Sequence, residues 1–346
     1  MFYVVLEHVL KSSEDCNVCG GKTMNKLSKI ISYCIFGICA TVCSSNCYAT
    51  NFSDFVRAVE PLDKSNQSNE KAEYKLTPER QKFIKNFSHA LLNEDFEYFN
   101  EGGGSAFGDV LQKKYGYKPV TAEQMFSTYD KNQIKGDKEY INQKLIVTGE
   151  IEQIKSSVGN KPVIFMKAGK NALISTVNAT FKNPDEDIDK IVNLEKGQKL
   201  VLLCIGEGVV LSSPVVGNCE FTDNYQEEYK QRLDESINAF INGKPTGNSF
   251  AIYSVTFGYL LSLEDPTYVD KCNKNGCKID KKVNGKTKKI FSSLKIKKEE
   301  YSKLKPKDKA LTDKYKKEAW DLLAELKIID PNNGALLIDD FELTSW

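Results

Sequence analysis

The sequence predicts an α+β protein organised around one small, closed β-barrel, with helices before it and mixed structure after it. Three observations carry that expectation. Between residues 129 and 221, short runs rich in Val, Ile and Thr alternate in polarity with the period of two of a half-buried strand. One short acidic helix signal, residues 184–192, falls among them. Upstream, Phe83, Phe87, Leu91 and Leu92 recur at helical spacing and give one apolar face.

Residues 77–121 read as a helical segment. Thr77-Pro78-Glu79 opens it: Thr as N-cap, Pro at the first helical position, then an acid. Gly102-Gly103-Gly104 ends the first helix and reads as a flexible joint. A phosphate cradle would need a strand before it and Lys-Ser/Thr after it. Shorter helices are expected at 107–115 and at 121–129, the latter capped by Thr121 with Glu123 and Gln124 behind it.

Strands follow at 144–151, 163–167, 172–181, 198–205 and 209–221, with a loop at 156–161. In the first, Leu145, Val147, Gly149 and Ile151 share a face, and Gly149 suggests a bulge or a tight bend. The intervening helix carries Asp185, Glu186, Asp187 and Asp189, which suit the positive end of a helix, and Lys196-Gly197 stops it. Three strands, a helix and two strands is the order of an oligonucleotide/oligosaccharide-binding (OB) barrel.

Particular residues point the same way. Tyr129-x-x-Asn132, Asp137-x-x-Tyr140, Lys144, Val147-Thr148-Gly149, Lys196-Gly197-Gln198 and the Cys204/Cys219 pair resemble the bacterial tRNA_anti-like OB-fold family over residues 122–223. Gly136 and Gln143 stand where that family usually has Ala and Gly. The resemblance implies an OB barrel and, for most members, export. Its name implies nucleic acid through fold analogy alone, and a fold does not determine function.

Residues 224–346 read as a mixed α/β C-terminal domain. A helix spans 225–242, closed by Gly243, and another spans 311–326; residues 336–343 suggest a last strand. The apolar run 250–263 fits a strand or a buried helix equally well. Cys272-Asn-Lys-Asn-Gly-Cys277 places an Asn-Gly turn between two cysteines, a hairpin tip closed by a local disulfide.

The N-terminus sets the compartment. Residues 24–49 combine a basic start, an apolar run at 30–42 and an ending Cys47-Tyr48-Ala49, the plan of a secretory signal peptide cleaved after Ala49. The first 23 residues read as an over-extended start, which would leave Cys16-Asn-Val-Cys19 outside the natural protein; residues 50–76 read as a flexible polar leader. Lipid attachment fits poorly, because Cys39, Cys43 and Cys47 follow Ile38, Val42 and Asn46 rather than a small residue. Of ten Cys, four remain after cleavage: Cys204, Cys219, Cys272 and Cys277. An even count in an exported chain reads as two disulfides. A four-Cys zinc site would need tighter spacings than the gaps of fourteen and four residues here. Neither a metal nor a cofactor is expected, nor a membrane-spanning segment in the mature chain.

No residue pattern calls for catalysis. After cleavage the sole histidine is His89, on a predicted helix and without a nucleophile motif elsewhere. Residues 121–223 hold twelve Lys, no Arg and fourteen acids, a net of −2, which disfavours a phosphate-binding barrel. Phe165 and Lys167 mark the barrel face where an OB ligand would lie. Residues 271–309 hold fifteen Lys and four acids, a net of +11. Their pairs Lys281-Lys282, Lys288-Lys289 and Lys297-Lys298 form a candidate patch for an anionic partner. The expectation is a periplasmic or secreted, non-catalytic module that binds a protein or envelope component. An anionic glycan is admitted as partner and nucleic acid disfavoured. The alternative is oligonucleotide or oligosaccharide binding on the barrel face.

Overall fold

The computed structural model describes residues 60–61, 76–169, 175–242, 244, 248–264, 272–273, 276–277, 281–296, 298–332 and 337. The expected over-extended start, signal peptide and most of the leader lie outside these residues. So do Gly243, Lys297 and nearly all of the expected last strand. The described residues divide into two compact units, one within Phe96–Tyr229 and one joining those up to Asp95 with those from Lys230 onward. The sequence pattern suggests divisions near 121 and 223. The unit boundaries fall instead inside two helices, α1 (Pro78–Asn100) and α6 (Asp223–Ile241).

In the unit Phe96–Tyr229, α1 ends in a Schellman cap. Gly103 N donates to Tyr98 O (2.9 Å), Gly102 N donates to Phe99 O (2.8 Å), and Gly102 sits at φ 81°. The triple glycine is therefore an ordered helix stop and not a flexible joint. Next come α2 (Ala106–Lys113) and β1 (Lys118–Thr121). Thr121 and Gln124 form a reciprocal capping box that starts α3 (Ala122–Lys131), and the Asn132 side chain caps α4 (Gln133–Tyr140).

The barrel uses β2 (Lys144–Ser156), β3 (Pro162–Lys167), β4 (Thr176–Phe181), β5 (Lys199–Val210) and β6 (Ser213–Glu220), with α5 (Pro184–Ile191) between β4 and β5. β2 pairs antiparallel with β3 and with β5, which closes the sheet; β4 runs parallel to β6, and β1 adds parallel to β2. β2 passes from β1 and β5 along its first half to β3 along its second because it bends: its register shifts between Ile151 and Gln153. That bulge lies beyond Gly149. Gly149 instead allows close packing, since a Cβ there would meet Met166 Cβ at 3.0 Å and Ala122 Cβ at 3.1 Å. Leu145, Val147, Ile151, Ile164, Met166, Val177, Ala179, Leu202 and Val216 fill the interior, with Met125 and Tyr129 of α3 packed into the same core. Ile146, Val201 and Leu203, on the opposite face of β2 and β5, are buried too, and the Gly102 turn lies against Thr148 on that side.

The β5–β6 turn differs from the sequence expectation. The Gly206–Gly208 break suggests a turn there, yet β5 runs on to Val210 and the two-residue turn is Leu211-Ser212, at φ 49° and 67°. Gly206 and Gly208 serve other ends. A Cβ on Gly206 would lie 2.0 Å from Tyr140 O, and Gly208 takes φ 90° at a register shift. In addition, residues 158–160 form a 3-10 turn within the expected loop.

In the other unit the ambiguous apolar run is a helix, α7 (Ser249–Glu264). Its length and all-round burial settle the matter: Phe250, Ile252, Val255, Phe257, Leu260 and Leu261 are buried. Gly258 brings it close to Phe87 and Ile84 of α1. A two-residue ladder, β7 (Cys272–Asn273) with β8 (Gly276–Cys277), precedes α8 (Lys281–Lys295), α9 (Lys298–Ser302) and α10 (Pro306–Glu325).

Candidate binding surfaces

The four cysteines pair as expected. Cys204 of β5 and Cys219 of β6 are bonded across the barrel hairpin, and Cys272 and Cys277 across the small ladder. All four thiols are thereby consumed, which removes the zinc alternative.

The tRNA_anti-like signature residues gather at the α3–α4 corner and at the strand ends. Tyr129 and Tyr140 are buried with ring centroids 5.8 Å apart, and the Tyr140 hydroxyl lies 3.2 Å from Thr128 Oγ1. Burial, reinforced by the Asp137 carboxylate, pushes the Tyr129 phenol up to about 12. Asn132 Oδ1 accepts from Lys135 N, and Asp137 O accepts from Ile141 N (3.0 Å) at the end of α4. Lys144 Nζ donates to Tyr115 O (3.2 Å) and lies 5.6 Å from the centre of the Tyr117 ring. Gly197, at φ 86°, donates its N–H to Ile151 O (2.7 Å) and so docks the end of the α5 loop onto β2. These residues build the barrel's corners.

The barrel face lies outside β2, β3 and β4. Gln153, Phe165, Asn178 and Val215 stand in register across four strands. Phe165 is half-buried, and Lys155, which the sequence did not single out, holds its ammonium 5.7 Å from the ring centre. Lys167 lies 3.9 Å from Glu150 on the neighbouring strand. Phe181, the other aromatic on these strands, belongs to the core. The face thus offers one aromatic ring with Lys155 over it, and a second lysine, Lys167, beside Glu150.

His89 Nε2 lies 2.7 Å from Asp234 Oδ1, a polar contact joining α1 to α6 within one unit. Much of the lysine run forms α8, a helix that the preponderance of charge hides in the sequence. Thr287, Ile290, Ser293 and Leu294 face inward, while Gly285, Lys288, Lys289 and Ser292 are exposed. This is an amphipathic pattern whose polar side is all cationic or neutral. Lys281, Lys282 and Lys298 lie on helices, but their side chains are outside the described set.

Barrel topology and strand order define an OB-type protein. The chain belongs to the tRNA_anti-like family, whose profile matches residues 24–221. A search of curated proteins finds no match. Among solved structures, the chain resembles a "putative nucleic acid-binding lipoprotein" from Klebsiella pneumoniae subsp. pneumoniae MGH 78578 at 15% identity, covering 31% of this chain and 92% of that one with a TM-score of 0.26. At that score the likeness carries no functional weight. Among the described residues, no helix is long and apolar enough to cross a membrane.

Proposed function

We propose that this protein is a non-catalytic binding module of the extracytoplasmic space, with the barrel as a scaffold and a protein or envelope component as its partner. The supporting observation is the barrel face itself. An OB barrel that grips a single strand needs a basic groove and open aromatic platforms. Here Lys155 covers Phe165, Lys167 lies beside the Glu150 carboxylate, and residues 121–223 carry fourteen acids against twelve Lys. Two disulfides fit an oxidising compartment, as does the signal-like pattern of residues 24–49.

The second reading, an oligosaccharide or oligonucleotide on the barrel face, rests on the Gln153–Phe165–Asn178 row, where a ring flanked by amides could stack a sugar or base. One experiment separates the two. The exported chain, recovered from the extracytoplasmic fraction, is offered envelope extract in parallel with oligonucleotide and glycan arrays. Reproducible capture of one envelope component with blank arrays is expected. Array binding that Phe165→Ala abolishes would overturn the first reading in favour of the second.

A further inference from the structure

We infer that the exposed face of α8 is a contact for anionic lipid headgroups; this rests on the binding-module reading above and names its envelope component. Residues 281–295 contain six Lys and no acid. Lys288 and Lys289 are exposed, and no ion pair among the described residues engages either one. Exposed Lys303, Lys305 and Lys307 follow at the corner leading into α10.

The face is held on a firm support. Lys316, nearly fully buried on α10, donates to Leu294 O (3.2 Å) in the last turn of α8, and Thr312 Oγ1 donates to Ser293 Oγ (3.3 Å). Ile290 and Leu294 anchor the inner side.

The residue types select the partner. Residues 271–309 contain no Arg, whose planar fork reads a single carboxylate or phosphate in two-pronged fashion. The described side chains of α8 include no exposed aromatic on which a base could stack. The compact, hydrated charges of exposed Lys288 and Lys289 suit a headgroup surface, where each adds to attraction without demanding a fixed geometry.

The test uses the full chain and two vesicle preparations, one of neutral phosphatidylcholine and one doped with phosphatidylglycerol, with immobilised heparin in parallel. Co-flotation with the anionic vesicles alone is expected, lost in about 0.5 M salt. Each lysine should be worth about fivefold in partitioning, so Lys288→Gln/Lys289→Gln should weaken it about 25-fold. Circular dichroism checks that the variant keeps its helices. Equal flotation with both vesicles, or with neither, overturns the inference. Heparin retention without flotation also overturns it, in favour of an acidic glycan. If flotation fails while envelope extract still yields a specific partner, this inference alone falls. If the barrel face binds oligonucleotides, the module reading falls whatever the vesicles show.

Discussion

Gly206 lies directly against the Tyr140 carbonyl: a Cβ at position 206 would sit 2.0 Å from that oxygen. The approach is fastened on both sides, by Asn142 N donating to Gly206 O (2.9 Å) and Gly206 N donating to Gln143 O (3.1 Å). This is how the end of α4 and its turn into β2 are welded to β5. Gly206→Ala must push backbone away from backbone, and such overpacking typically costs about 1–3 kcal/mol. Denaturant unfolding should show that loss. Gly104→Ala, with nothing within 4 Å of the new methyl, is the matched control and should be close to neutral.

The β5–β6 turn breaks its own local rules. A two-residue hairpin with both central residues at positive φ favours Asn-Gly, yet Leu211 and Ser212 occupy it at φ 49° and 67°. Leu211 is also 96% exposed. Leu211→Asn/Ser212→Gly should therefore stabilise the protein, by roughly 1 kcal/mol. A rise in the denaturation midpoint with unchanged slope would bear this out, and a fall would show that Leu211 packs on something in the native protein.

What could be read from the sequence follows from how local each signal is. Barrel strand order was legible because Leu145, Val147 and Ile151 alternate inward within one strand, and the α3 start was legible because Thr121 and Gln124 bond one another. The disulfides were legible because each pair brackets its own hairpin. The β5–β6 turn was not. Gly206 and Gly208 look like turn residues, and their real reasons, the Tyr140 carbonyl and the bulge, come from an element more than sixty residues upstream and from strand register. β1 escapes a sequence reading because Lys118-Pro119 lacks strand character and Val120 alone of its four residues is buried. On the barrel face Phe165 and Lys167 were legible, but the cover from Lys155 and the match to Glu150 depend on pairing with β2.

Tyr129 ties stability to alkaline pH. Burial first, and the Asp137 carboxylate second, raise its phenol to about 12 in the folded protein, whereas an unfolded tyrosine titrates near about 10. The fold favours the protonated, neutral phenol. Its contribution is therefore fully present below about pH 10 and lost as pH rises toward about 12. The stability difference between the native protein and Tyr129→Phe should stay flat to about pH 10 and then move in favour of Tyr129→Phe, with tyrosinate absorbance marking the titration. A difference that stays constant to about pH 12 would contradict the burial argument.

The two disulfides should contribute unequally. Cys204 and Cys219 are separated by 15 residues, and Cys272 and Cys277 by 5. Loop-closure entropy gives about 3 kcal/mol for the first and about 2 kcal/mol for the second. The first also closes the hairpin that completes the barrel, with both sulfurs in the core, while the second closes a ladder of four residues. Because they lie in different compact units, each loss should stay local. Native-state hydrogen exchange should show faster opening of residues 96–229 in Cys204→Ala/Cys219→Ala, and of the α7–α10 unit in Cys272→Ala/Cys277→Ala. Equal acceleration throughout the chain in both variants would mean that the units unfold as one.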